Sequence, residues 1–291
     1  MQGWRTAMED SHICIPNFDD DNISLFGVFD GHGGMDLMKF IGADIAVYTK
    51  RNFPSILKSL PSFKAKDYKT ALTESFLEID RLIQSEEGKL ELNEIHAELN
   101  SKSSLNIDSI GCTACAVLIT SDGIIVANSG DSRCVLCKSG VAIDLSEDHK
   151  PEVESERARI ELAGGFVEDN RVNGVVSLTR ALGDFHYKKN LQRSIHEQLI
   201  IAKPDVRVEK IEEGDEFIIL ACDGIWDCMA SQRAVDYIRE QIAKYQFIKP
   251  KDAKLSNIIE NLLDKSISSN IKANSIGGDN MTCIVVRFKH S

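Results

Sequence analysis

Two stretches of this chain share one design: an apolar run of strand length that stops at Asp-Gly. Residues 23–29 (ISLFGVF) lead into Asp30-Gly31-His32-Gly33-Gly34, and residues 217–222 (FIILAC) lead into Asp223-Gly224. Short runs of β-branched and aromatic residues bounded by glycine read as buried strands. A carboxylate at a strand end lies where side chains meet solvent and substrate, and the glycine after it lets the backbone turn and bring a carbonyl close to a ligand. Gly277-Gly278-Asp279-Asn280 sets another carboxylate before the apolar run 281–288, and Glu9-Asp10 stand before the run 11–16. Each acid alone is compatible with an ordinary turn former, and His32 with a surface histidine. Several like charges gathered at one end of a sheet are costly to bury unless cations neutralise them. An all-oxygen set selects hard ions such as Mg²⁺ or Mn²⁺ over zinc.

The rest of the chain narrows the class. At 291 residues and 43% hydrophobic it can bury a large core. Strand-like runs at 11–16, 23–29, 112–119, 123–128, 133–138, 216–221 and 281–288 alternate with helix-like runs at 36–51, 67–84, 152–163, 231–243 and 255–268. The strands cluster and the helices come in pairs, not in strict βαβ alternation, which predicts an α+β fold of antiparallel sheets flanked by helices. No repeat or long Pro/Gly/Ser linker divides it, so one domain over 1–291 is expected. Residues 85–110 are acidic and then serine-rich, the composition of a solvated excursion, and 185–205 are polar with basic residues. A net charge of −11 without a basic cluster argues against nucleic acid. No run reaches membrane-spanning length and no signal peptide is visible, so a soluble cytoplasmic protein, with a nuclear location as the variant, is expected.

Eight cysteines include two CxxC pairs, Cys112/Cys115 and Cys134/Cys137. Both pairs fall in strand-like runs, where residues three apart point to opposite faces and cannot converge on one metal. They are expected to be buried small hydrophobes in a reducing compartment.

The blocks MQGWRTAMED, FGVFDGHGG, GCTACAVLI, ANSGDSR, EDHKP, RVNG, LTRALGDF, KPDV, FIILACDGIWD and GGDNMTCIVV occur in the order found in metal-dependent protein serine/threonine phosphatases of type 2C, which the chain resembles from residue 2 to about 288. The resemblance implies a central antiparallel β-sandwich with pairs of antiparallel helices on both outer faces, a four-layer αββα arrangement. It also implies two Mg²⁺ or Mn²⁺ ions at one end. Asp30 would bridge them, with the Gly31 carbonyl and Glu9 on one ion and Asp223 and Asp279 on the other. Asp10 would hold water beside the ions, and Arg5 would grip the substrate phosphate through its planar guanidinium. A surface salt bridge from Arg5 to Glu9 or Asp10 is the simpler alternative. A third, weaker ion would use Asp148 and Asp227 with Asp223; the alternative for these two is a helix cap or surface acid.

The implied reaction is hydrolysis of phosphoserine and phosphothreonine in proteins by hydroxide bridging the two ions, with no phosphoenzyme. His32 would be the general acid for the alkoxide leaving group. Cys228 and Arg233 have the wrong spacing for a cysteine-nucleophile phosphate loop. Phosphoproteins are the expected partners of a monomer, with neither nucleic acid nor membrane. The rival readings are a pseudophosphatase or regulatory binding module and another two-metal phosphoesterase. Three departures stand out. The chain begins at the MQGWR block, where relatives have a preceding strand, so an edge strand is missing or the start lies upstream, and Arg5 and Glu9 would lie near a fraying end. The 85–110 segment is long, and 185–205 falls where the family carries a flap beside the active site.

Overall fold

The structure, a computed structural model, describes residues 1–19, 22–33, 42–99, 105–248, 254–271 and 275–289. The strands are β1 (Asp10–Asp19), β2 (Ile23–Gly33), β3 (Ile110–Cys112), β4 (Ala114–Thr120), β5 (Gly123–Ser129), β6 (Arg133–Lys138), β7 (Val141–Asp144), β8 (Val167–Glu168), β9 (Arg171–Val172), β10 (Leu182–Gly183), β11 (Asp205–Glu209), β12 (Asp215–Ala221) and β13 (Cys283–Arg287). The helices are α1 (Ala43–Ser59), α2 (Pro61–Lys64), α3 (Tyr68–Ile83), α4 (Glu86–Leu99), α5 (Glu154–Leu162), α6 (Asp223–Trp226), α7 (Ser231–Ile248) and α8 (Leu255–Ser266).

One sheet runs β10-β3-β2-β4-β5-β11 with β1 also on β2, and the second runs β13-β12-β6-β7. Their ladders are antiparallel throughout. Phe26, Val28, Val117 and Val126 of the first sheet face Leu136, Ile218, Leu220 and Ile284 of the second in one buried cluster. The outer face of the first sheet packs Leu25, Phe29 and Leu118 on Phe53, Phe76 and Ile95 of α1, α3 and α4. The outer face of the second packs Val135, Phe217 and Ile219 on Val235, Ile238 and Leu262 of α7 and α8. The fold is therefore a four-layer αββα sandwich. Period-two side-chain alternation is what lets each central strand serve two cores.

The CxxC pairs obey that alternation. Cys112 lies in the outer core and Cys115 between the sheets, and Cys134 lies between the sheets while Cys137 faces α7 and α8. All eight cysteines are free thiols. None of the helices among the described residues is long and apolar enough to cross a membrane.

Two expectations are corrected. Residues 86–99 are a helix, not an irregular excursion: Leu92 and Ile95 join the outer core, and buried His96 Nδ1 meets Asp44 Oδ2 at 3.1 Å. Only two turns' worth of apolar positions reach the core, too few to stand out against the acidic face in the sequence. The N-terminal segment is also pinned rather than frayed. Trp4 N–H donates to the Gly278 carbonyl at 2.8 Å, and Met1 and Met281 exchange backbone hydrogen bonds. The helix expected at 36–51 appears from Ala43 onward; Gly34 and residues 35–41 lie outside the described residues.

Candidate active site

The strand ends converge. In the β1–β2 ladder Asp10 stands directly opposite Asp30, a like-charge pairing that a sheet tolerates poorly. β3 and β4 are parted by Thr113, whose N–H donates to the Asp30 carbonyl at 2.9 Å, and Asp30 leads into Gly31 and His32 along the β3 edge. β12 ends just before Asp223, the first residue of α6. Asp279 precedes β13, and buried Asn280 ties that turn to the N-terminal segment. Its Nδ2 donates to the carbonyls of Gln2 and Ala7, both at 2.8 Å, and its Oδ1 accepts from Glu9 N–H at 2.6 Å.

The result is a polar pocket of about 210 Å³ lined by Arg5, Glu9, Asp30, Gly31, His32, Thr113, Asp131, Ser177, Leu178, Asp223 and Asp279 among others. Arg5 Nη2 donates to Asp279 Oδ2 at 2.5 Å, not to Glu9 or Asp10, and its buried Nε has no partner among the described residues. Glu9 Oε1 accepts from Gly42 N–H at 3.1 Å. Asp10 is buried behind the pocket: its Oδ2 accepts from Thr282 Oγ1 at 2.7 Å and from Cys222 Sγ at 3.3 Å, while Oδ1 finds no partner among the described residues. His32 Nε2 meets Asp184 Oδ2 at 2.6 Å, and His32 Nδ1 has no partner among the described residues.

The electrostatics are those of excess negative charge. Burial, then Asp10, Asp223, Asp131 and Asp279, push the Asp30 carboxyl well above its ordinary value. Burial, Asp131, Asp279 and Asp227 push Asp223 up to about 8. Burial also raises Glu9 and Asp10. Burial alone would lower His32, but the Asp184 carboxylate outweighs it and the imidazole holds its proton above the usual range. Asp10, Asp30 and Cys222 bring ligand atoms within 4.8 Å of one another. Burial and the carboxylates of Asp10, Asp30 and Asp223 push the Cys222 thiol well up, so it stays a neutral donor to Asp10 and the donor set remains oxygen. Uncompensated carboxylates and an orphaned buried oxygen fit divalent cations at this end of the sandwich.

The other expected residues divide. Both oxygens of Asp148 are taken by Arg133, at 2.9 and 2.7 Å, away from the pocket lining. Asp227 is exposed at the end of α6, raised by burial and by Asp131 and Asp279 against the pull of Lys150. The acid that reaches the pocket wall is Asp131 of ANSGDSR, buried and bound by Lys150. It was missed because after β5 the order is Gly130-Asp131, the reverse of the Asp-Gly that marks Asp30 and Asp223, although it too follows directly on a strand. Asp184 was missed as well, since its pairing with His32 spans 152 residues. Ser177 and Leu178, not 185–205, complete the pocket rim; 185–205 instead lines a groove against α2 and α3.

Comparison with known proteins gives the family. Residues 1–275 match the model of the family described as Protein phosphatase 2C. The chain belongs to the protein phosphatase 2C family. It is 43% identical to Protein phosphatase 2C homolog 2 of Schizosaccharomyces pombe, over 100% of this chain and 72% of that protein. It is 40% identical to Probable protein phosphatase 2C 5 of Paramecium tetraurelia, over 99% of this chain and 90% of that protein. Two Toxoplasma gondii structures share the fold. One, a phosphatase, is 24% identical with a TM-score of 0.71 over 100% of this chain and 92% of its own. The other, a serine-threonine phosphatase 2C, is 22% identical with a TM-score of 0.72 over 99% and 92%. Membership makes the chain a metal-dependent protein serine/threonine phosphatase, a hydrolase that acts on phosphoproteins.

Proposed function

We propose that the pocket hydrolyses phosphoserine and phosphothreonine by direct attack of water at a two-metal centre, with no phosphoenzyme. The observation that carries this reading is the set of mutually repelling carboxylates facing one arginine and one histidine. Asp30, Glu9, Asp223 and Asp279, with the Gly31 carbonyl, would hold two Mg²⁺ or Mn²⁺ ions. Asp131 takes the place expected of Asp148 toward a third, weaker site with Asp223 and Asp227, because Asp148 is already spent on Arg133. Bound ions supply charge neutralisation and a water acidic enough to attack near neutral pH.

The chain's own groups do the rest. Arg5 offers its unspent Nε and a guanidinium plane to the phosphoryl oxygens at the mouth of the pocket. Asp10, with one carboxylate oxygen free, orients water from behind Asp30. His32 spends Nε2 on Asp184, so Nδ1 is the atom left to protonate the departing serine or threonine oxygen. The substrate is a phosphoprotein rather than nucleic acid, given the net charge of −11. The eight free thiols fit a reducing cytoplasmic or nuclear setting. A monomeric chain forming one catalytic domain is in keeping with three cores that share the same two sheets.

The test is phosphate release from a phosphothreonine peptide and from a phosphorylated oligonucleotide, with and without Mg²⁺ or Mn²⁺. Metal-dependent release from the peptide alone is expected. A protein inactive with Mn²⁺ on every phosphopeptide would overturn the reading in favour of a binding module.

A further inference from the structure

The residues behind His32 form a second constellation, separate from the carboxylates. Asp184 is 2% exposed and sits at φ +52°, a left-handed conformation that few residues other than glycine adopt. Gly183 before it has φ +79°, and a Cβ there would lie 2.5 Å from the Ile110 carbonyl. Glycine enters this region freely and aspartate is among the few other residues that do, so the turn's direction is set by what its neighbours bind. Here Asp184 N–H donates to the Ile110 carbonyl at 2.8 Å, and Gly183 N–H donates to Asp80 Oδ1, also at 2.8 Å. Asp80 projects from α3 and is largely buried at 15% exposure. The same oxygen accepts from Lys188 Nζ at 2.7 Å, and Lys188 in turn donates to the Ala181 carbonyl at 2.9 Å. The turn is thus clamped on both sides. The space around its product is closed too: a Cβ at Gly111 would stand 2.4 Å from Asp184 Oδ2 and 2.7 Å from His32 Nε2.

We propose that Asp184 is a positioning residue for His32, and that Asp80 with Lys188 fixes the left-handed turn that presents it. The clamp is the device: a Gly183–Asp184 turn released from these bonds would swing the carboxylate away from Nε2 and leave the imidazole free to rotate. Asp80 and Lys188 also line the groove of about 640 Å³ against α2 and α3, so the clamp is reached from a face other than the one that takes substrate. The inference rests on the reading of His32 as proton donor.

That dependence sets the experiment. Rates are measured on a phosphoserine peptide, whose alkoxide must be protonated, and on p-nitrophenyl phosphate, whose phenolate leaves without a proton. His32→Gln is expected to lose about 10²-fold or more on the peptide and under about threefold on the aryl ester. Asp184→Asn should show the same split, at about 10- to 100-fold on the peptide with KM little changed. Asp80→Asn, placed where it touches neither His32 nor substrate, should show the split at about five- to tenfold, which keeps the idea testable if Asp184→Asn folds poorly. The double variant His32→Gln/Asp184→Asn should be no worse than His32→Gln alone. If His32→Gln shows the split but Asp184→Asn and Asp80→Asn lose both substrates equally, or the double variant is additive, the positioning role is overturned while His32 keeps its own. If His32→Gln itself shows no split, the proton-donor reading falls and this inference falls with it.

Discussion

Buried carboxylates at two places in this molecule have opposite fates. Glu156 on α5 is 2% exposed, yet it accepts from Arg159 Nη1 at 2.5 Å, from Arg180 Nε and Nη2 at 3.1 and 2.7 Å, and from Thr179 Oγ1 at 2.5 Å. Burial alone would raise its carboxyl; Arg180 and Arg159 hold it down at about 2. At the pocket, Asp30 and Asp223 are pushed up, the latter to about 8, because what surrounds them is more carboxylate. Among the described residues Lys150, bound to Asp131, and Arg5, bound to Asp279, reach in, too few cations for the acids gathered there. The first carries its own cations and is structural. The second leaves its charge for something from outside to complete, which is how a site for divalent ions differs from a buried salt bridge.

Substitution separates the two most sharply. Asp223→Asn should cost about 10³-fold in peptide turnover, on the order of 4 kcal/mol of barrier, while leaving the metal-free melting temperature level or higher, since a repelled charge is removed. A clear fall in that melting temperature would break the comparison. Glu156→Gln is expected to do the reverse. Buried Arg159 loses its carboxylate partner and Arg180 keeps only Asp205, so stability should drop by about 3 kcal/mol, on the order of 10 °C in melting, with any surviving folded enzyme still turning over. Full stability in that variant would sink the claim that the arginine cluster is structural.

The smallest effect is in pH. Asp223 is raised from 3.8 to about 8, so its contribution to stability is fully present below 3.8 and is lost as pH rises through about 8. Glu156 is lowered from 4.5 to about 2, so its contribution is present above 4.5 and lost as pH falls toward 2. On its alkaline limb, from about pH 4 up to about pH 8, the melting temperature of the metal-free protein should therefore decline by a few degrees, and it should fall again in acid below about pH 4.5. Saturating Mg²⁺ should flatten the alkaline limb and leave the acid limb unchanged. An alkaline limb insensitive to metal would remove Asp223 from the ion site.

Much of this was legible along the chain. The runs at 23–29 and 217–222 are apolar on both faces and became central strands, and the opposed faces of Cys112/Cys115 and Cys134/Cys137 followed from strand periodicity alone. The short strands β7 to β11 were not, because two to five residues carry too little pattern to separate from turns. Helix α4 was hidden for a related reason: its stability lies in where Leu92, Ile95 and His96 land on α1, not in its own composition.

The sequence by itself determined an α+β fold of antiparallel sheets flanked by helices and the acids at the strand ends, since periodicity and Asp-Gly punctuation are local. Tertiary structure alone decided which acids are neutralised. Arg133 claims Asp148, Lys150 claims Asp131, Arg180 claims Glu156, and Asp184 comes to His32, each across a separation that no local pattern records. Charge is written residue by residue, but its compensation depends on distance, and distance exists only once the chain is folded.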